Sequence, residues 1–275
     1  MKKFLYIIPI VIGMISCKED KPIVMEWQLD KVIEFDGINP IGLASYGENI
    51  AISDGDHNRL VMIDQDGTLI SEVADFDRPM HIDVKNDIIY VPEYGRDSIA
   101  MVANQERSYL KLSDSLDAPA GISIFNNEIA IADFYNNKIH YNDGSSWSSF
   151  GKEGKALGDF YYPTDVQITD DYIYVADAYN NRGQVFDKSG KVIKAFGEDQ
   201  NFNAATGIYV SDQEIFLTDF ENNRVVIFSK DYTVQQVIES GIDKPTDMIV
   251  VDNQLFITNY RKGELVIYKL QQVSS

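Results

Sequence analysis

His81, Asp165 and Asp247 lie far apart in the chain, yet each stands two residues after a proline in a phrase that recurs along the sequence. One imidazole and two carboxylates can hold a divalent cation such as calcium or zinc, or move a proton as general base and acid. The other copies of the position are Gly42, Gly121 and Gly207, so polar residues and glycines alternate. A plainer role stays open at each place: such an Asp can cap the backbone of a neighbouring loop, and a His among glycines can fill a gap.

A second set is aromatic. Tyr94, Phe134, Tyr135, Tyr179, Phe220 and Tyr260 follow, by one or two residues, the acidic or amide anchor of five repeated phrases. Rings in such a rim bind a peptide, a glycan or a small hydrophobic ligand, because they offer large area at low entropic cost; packing between loops is the alternative. The anchor phrase is clearest in "DAYNNR", Asp177 to Arg182, whose oxygens suit a hard cation and whose residue types equally suit a tight turn. "DGDHN" and "DQDG" resemble fragments of calcium loops but lack the downstream Glu and spacing of an EF-hand. His57 and His140 form no ligand spacing, and the chain has no phosphate loop at a strand-to-helix junction, no GxSxG and no HExxH.

The elements that must position these residues follow from an internal repeat. Asp54, Glu93, Asp133, Asp177, Asp219 and Asn259 anchor six copies at spacings of 39, 40, 44, 42 and 40 residues. Fourteen residues before each anchor stand Pro40, Pro79, Pro119, Pro163, Ala205 and Pro245, so two series keep one phase. Within a copy the apolar residues run in short β-rich stretches, such as "DVQI", "YIYVAD", "GQVF" and "KVIKAF", which predict four strands. A unit of this size cannot bury both faces alone, and radial stacking solves that, so the expected fold is an all-β, six-bladed β-propeller of four-stranded blades. The anchors then fall on the turns between second and third strands, which predicts a hairpin role for them. Those turns and the loops entering each first strand are expected to share one mouth, with both candidate sets around it.

The last copy ends after its third strand, "ELVIYKL", while the strand-like "WQLDKVIEF" precedes the first. This N-terminal strand is expected to complete the last blade and remove an exposed edge. Further upstream, "MKKFLYIIPIVIGMISC" has two lysines, a short apolar run and then the only cysteine, Cys17. That pattern reads as a secretory signal, since the run is shorter than the roughly 20 residues needed to span a bilayer. "MISC" resembles a bacterial lipobox and "KEDK" the export tag of surface lipoproteins of Bacteroidota. The expected organisation is therefore a signal peptide over residues 1–16, lipidated Cys17 and a tether over 17–25, and the propeller over 26–275. The resemblance implies an outer-membrane lipoprotein, exposed at the cell surface or facing the periplasm, with the lipid anchor as its membrane partner.

With Cys17 so used, no thiol remains for a disulfide, a CxxC metal site or a nucleophile. The formal charge of −19 argues against a nucleic-acid partner, which needs a basic footprint. A monomer is the expected state.

"FGKEGKALGDFYYPTDVQITDDYIYVADAYNNRGQVFDKSGKVIKAFG" and "TGIYVSDQEIFLTDFENNRVVIFS" resemble NHL repeats, in their FG, G-D-F-x-x-P, A-D-x-x-N-N-R and D-x-x-G-K elements. That resemblance implies the propeller fold, and one fold serves many activities. Blade four is also similar to NHL-like amidating lyases, and Tyr179 falls on the tyrosine that family uses in catalysis. Their zinc-binding histidines directly after the proline have no counterpart, since Ile41, Met80, Ala120, Thr164, Thr206 and Thr246 stand there. The reading favoured by the residues is a ligand- or protein-binding module that uses its loop face and central channel. The alternatives are a metal-dependent enzyme of lyase or lactonase type with a site in the channel, and a structural part of an envelope assembly.

Overall fold

A computed structural model of the protein describes residues 24–273; the expected signal peptide, Cys17 and most of the tether lie outside them. The described residues form six antiparallel sheets of four strands each. Five sheets run in chain order, from Pro40–Tyr46, Asn49–Asp54, Arg59–Ile63 and Leu69–Val73 in blade one to the set ending at Val234–Ile238 in blade five. The sixth combines Met248–Val251, Gln254–Asn259 and Glu264–Val273 with the N-terminal strand Val24–Glu34 as its outermost member. Closure is as expected, with longer strands than the apolar pattern marks. Pairing runs from Val24 opposite Val273 to Glu34 opposite Glu264, interrupted by a bulge between Leu29 and Lys31. No helix among the described residues is long and apolar enough to cross a membrane.

Consecutive residues of the second and third strands are apolar and buried, as in Ile215–Leu217 and Val225–Phe228, so each sheet presents apolar side chains to both neighbours and the core lies between blades. Between blades four and five, for example, Tyr174, Val185 and Phe196 pack against Ile208, Leu217 and Phe228. Trp27 carries the closing strand into the core: it is buried, stands 6.0 Å from Phe216 and donates its indole N–H to Glu214.

The "DAYNNR" phrase proves to be a brace. Asp177 is fully buried; one oxygen accepts the main-chain N–H of Tyr161, in the loop entering the same blade, and the other accepts from Asn180, Arg182 and Gln184. Asp54 and Asp219 pair with Arg59 and Arg224 in the same way, whereas in blade three His140 occupies the place of Gln184, 2.8 Å from Asp133. The second Asn has a different task. Asn181 ends its turn in the left-handed conformation (φ 57°) and its side chain accepts the N–H of Ala204, in the loop entering the next blade. Asn58, Asp97, Asn137 and Asn223 make the same link to Arg78, Ala118, Tyr162 and Lys244, each of these also left-handed and each directly before the position that opens a blade. The sixth turn has Gly263 instead, and there Phe35 donates to the Gly263 carbonyl at 2.8 Å. The seam of the ring is thus held by main chain where the other joints use a side chain.

Candidate functional site in the central channel

The first strand of each blade lies nearest the axis, and its backbone is irregular where it begins. In blade four the register slips between Pro163 and Asp165, and similar slips follow Pro40, Pro119 and Ala205. A bulge of this kind re-aims the side chain beside it. The result is convergence: donor atoms of His81, Asp165 and Asp247 all lie within 4.8 Å of one another. The alternating glycines make room for it. A Cβ on Gly42 would stand 2.7 Å from the His81 Cα, one on Gly121 2.8 Å from the Asp165 Cα, and one on Gly207 3.1 Å from the Asp247 Cα.

Both carboxylates also staple blades. Asp165 accepts N–H groups from Val166 and from Ile208 of the next blade, and Asp247 accepts from Met248 and, across the seam, from Leu43. The capping role is therefore real, and it leaves the remaining lone pairs facing His81. The His81 Nδ1 lies 3.7 Å from Asp165 Oδ2 and 3.6 Å from Asp247 Oδ2, and it is the one buried side-chain nitrogen or oxygen among the described residues without a hydrogen-bond partner. Burial opposes charge on His81, yet the two carboxylates outweigh it and its pKa is raised. Burial also raises the pKa of Asp165, with the His81 charge opposing and Asp247 adding to the shift. The group thus retains protons that a bound cation would displace.

The three residues close one end of a cavity of about 290 Å³. Its wall is the remainder of the first strands, including Asp83, Ser123, Gln167 and Tyr209. Nothing from the rim-side loops lines it; of the residues one step nearer the rim, Ile41, Ala120, Thr164 and Thr246 are buried and Met80 and Thr206 half-buried. Since first strands run from the rim toward the turns that join first and second strands, the cavity leads from the triad to that opposite face. A groove of about 550 Å³ between blades four and five meets it there at Phe125, Gln167 and Ile168. The shared mouth expected for the two candidate sets is corrected: polar set and aromatic set serve different faces.

The aromatic set is also divided. Tyr94, Phe134, Tyr135 and Tyr179 belong to one cluster over blades two to four, with Tyr161 and Tyr162 completing it; Phe134 stacks on Tyr162 at 4.7 Å and Tyr161 on Tyr162 at 4.6 Å. Tyr135 and Tyr179 remain half exposed, at 50% and 57%. Phe220 and Tyr260 form a separate pair at 6.5 Å, with the Tyr260 hydroxyl bound to Asp56. Two members escaped the repeat reading because Tyr161 and Tyr162 precede the proline, and the paired tyrosines in "FYYP" are the signal that marks them.

Comparison with known proteins agrees with this architecture. The NHL repeat family matches residues 202–228, the loop entering blade five and its first three strands. The chain is a six-bladed propeller carrying an NHL repeat. By sequence, no curated protein matches this chain. By structure it is similar to a gluconolactonase from Xanthomonas campestris (TM-score 0.73, 14% identity, 91% of this chain and 98% of that one). It is also similar to virginiamycin B lyase from Staphylococcus aureus with quinupristin (TM-score 0.65, 16% identity, 90% and 88%). A third likeness is to a chain of the nidogen/laminin complex (TM-score 0.62, 15% identity, 73% and 80%). At these identities the likeness concerns the fold.

Proposed function

We propose that this NHL propeller is a metal-dependent enzyme of lyase or lactonase type, in which His81, Asp165 and Asp247 hold one divalent cation at the closed end of the channel. The observation that carries the reading is the buried, unpartnered His81 Nδ1 poised between two carboxylate oxygens. Ligands that each stand about 2.0–2.2 Å from one ion are separated by roughly 3–4 Å, which the 3.6 and 3.7 Å spacings match. One imidazole and two carboxylates suit zinc better than calcium, which prefers six to eight oxygens. Such a cation supplies Lewis acidity toward an oxygen of a bound molecule and acidifies bound water. The protein's own part is to hold the two carboxylates by main-chain N–H groups, to keep the imidazole free of competing bonds, and to admit only what fits the channel. That two enzymes and a chain of the nidogen/laminin complex share this fold supports a catalytic and a binding use alike.

A second reading, protein, peptide or glycan binding through the rim, is favoured by the half-exposed Tyr135 and Tyr179 within their cluster. Either activity is proposed to operate from a lipid-anchored position at the outer membrane. Metal analysis of the full chain purified without chelator separates the two. One equivalent of zinc, lost in His81→Ala and in Asp165→Ala, is expected; a metal-free chain that takes up no added zinc, cobalt or manganese sinks the enzyme reading and leaves the rim.

A further inference from the structure

Beyond the triad the channel wall carries one more charged group. Asp83 lies two residues after His81 on the innermost strand of blade two, so period two turns both side chains toward the axis, about 7 Å apart along the strand. Its oxygens accept N–H groups from Val84 and from Ile124 of blade three, which fixes the carboxylate on the cavity wall. The residues lining the cavity include three Asp and a single His, with neither Lys nor Arg among them. A divalent cation at the triad would offset Asp165 and Asp247, whereas Asp83 meets only main-chain N–H donors among the residues of the cavity. The cavity volume equals about ten waters, the size of a small metabolite.

We infer that the channel selects a small organic ammonium compound, whose amine pairs with Asp83 while an oxygen several ångströms away faces the triad. This deepens the metal-dependent reading and rests on it for the oxygen end alone. The amine end depends on Asp83 and on a cavity without lysine or arginine.

The test uses the zinc-loaded full chain at constant pH and salt. Aliphatic ω-amino acids of two to six carbons are titrated by calorimetry beside carboxylic acids of matched length. The amino acids are expected to bind at least about tenfold more tightly than their matched acids, with an optimum at intermediate length, as loss of a charged hydrogen bond predicts. Asp83→Asn is expected to abolish that preference and to leave zinc content unchanged. Equal binding of the two series, or a preference that survives Asp83→Asn, overturns the inference. The wild-type comparison stands by itself if the variant folds poorly. Zinc binding with indifference to amines refutes only the ammonium selectivity; amine selectivity through Asp83 in a chain that holds no zinc refutes only the metal.

Discussion

Replacing Asp177 by Ala distinguishes a brace from a ligand site. The substitution removes the acceptor of the Tyr161 N–H and the buried partner of Arg182, which is itself only 4% exposed. An unsatisfied main-chain N–H costs about 1–3 kcal/mol, and breaking a buried pair on one side costs about 3–5 kcal/mol. Arg182 keeps the carbonyls of Ala156 and Asp159 and a longer contact to Glu198, so the pair belongs at the low end of that range. A total of about 4 kcal/mol is expected, equivalent to a Tm lower by about 8–16 °C in a domain of this size. Urea denaturation of the Asp177→Ala chain, followed by tyrosine fluorescence and circular dichroism, should show an earlier midpoint with an unchanged slope. Tyr179→Ala, two residues away and mostly exposed, should change stability by no more than about 0.5 kcal/mol. If Asp177→Ala stays within about 1 kcal/mol of the parent by urea denaturation and instead loses bound metal or ligand, the brace assignment is wrong.

Deleting residues 24–34 should abolish cooperative unfolding, because it bares the edge of Glu264–Val273 and leaves the Trp27 seat against Phe216 empty; a truncated chain that melts like the parent would refute closure by this strand. Asp64, Asp143, Asp187 and Asp231 each accept bonds from a turn between third and fourth strands, and their pKa values are lowered, by the main-chain N–H of Thr68 and of Ser146 in the first two and by the hydroxyls of Ser189 and Ser229 in the last two. A folded pKa below the unfolded one means that the contribution is fully present above the unfolded value near 3.8 and disappears as pH falls through the lower folded values. NMR titration should place these four carboxyls below an exposed carboxyl outside a turn, and indistinguishable midpoints would contradict the turn geometry.

The ring was legible in the sequence because two series, the prolines and the anchors, keep a constant offset that only a repeated unit can keep. Closure was legible because a strand was missing at one end and spare at the other. Convergence of His81, Asp165 and Asp247 was only partly so: the alternation with Gly42, Gly121 and Gly207 hinted at it, but the distances depend on how blades close around the axis, which is a property of the whole ring. The direction of the cavity was not legible, since it turns on side-chain sizes one residue above and below the triad. Asp83 could have been found from strand alternation starting at His81, had that period been followed one step further. Arg182 illustrates the opposite case, a charged residue in a polar phrase whose partners lie across its own hairpin and in the loop entering its blade.

The strand that seals the ring is made first and placed last. Its partners in Glu264–Val273 are separated from it by more than 200 residues, whereas most other strand pairs in the blades join neighbours across short turns. Loop-closure entropy grows by only about 0.6 kcal/mol per doubling, so the added thermodynamic cost over a hairpin is on the order of 3 kcal/mol. The kinetic consequence is larger. Until the final third strand has formed, Val24–Glu34 has no sheet to join and carries Trp27 and Ile33, which the closed ring covers, as uncovered apolar groups. Five blades pair strands that are neighbours in sequence, while the sixth needs both ends of the chain, so sealing the ring is the pairing of highest contact order and a chain that stops before Glu264–Val273 cannot close.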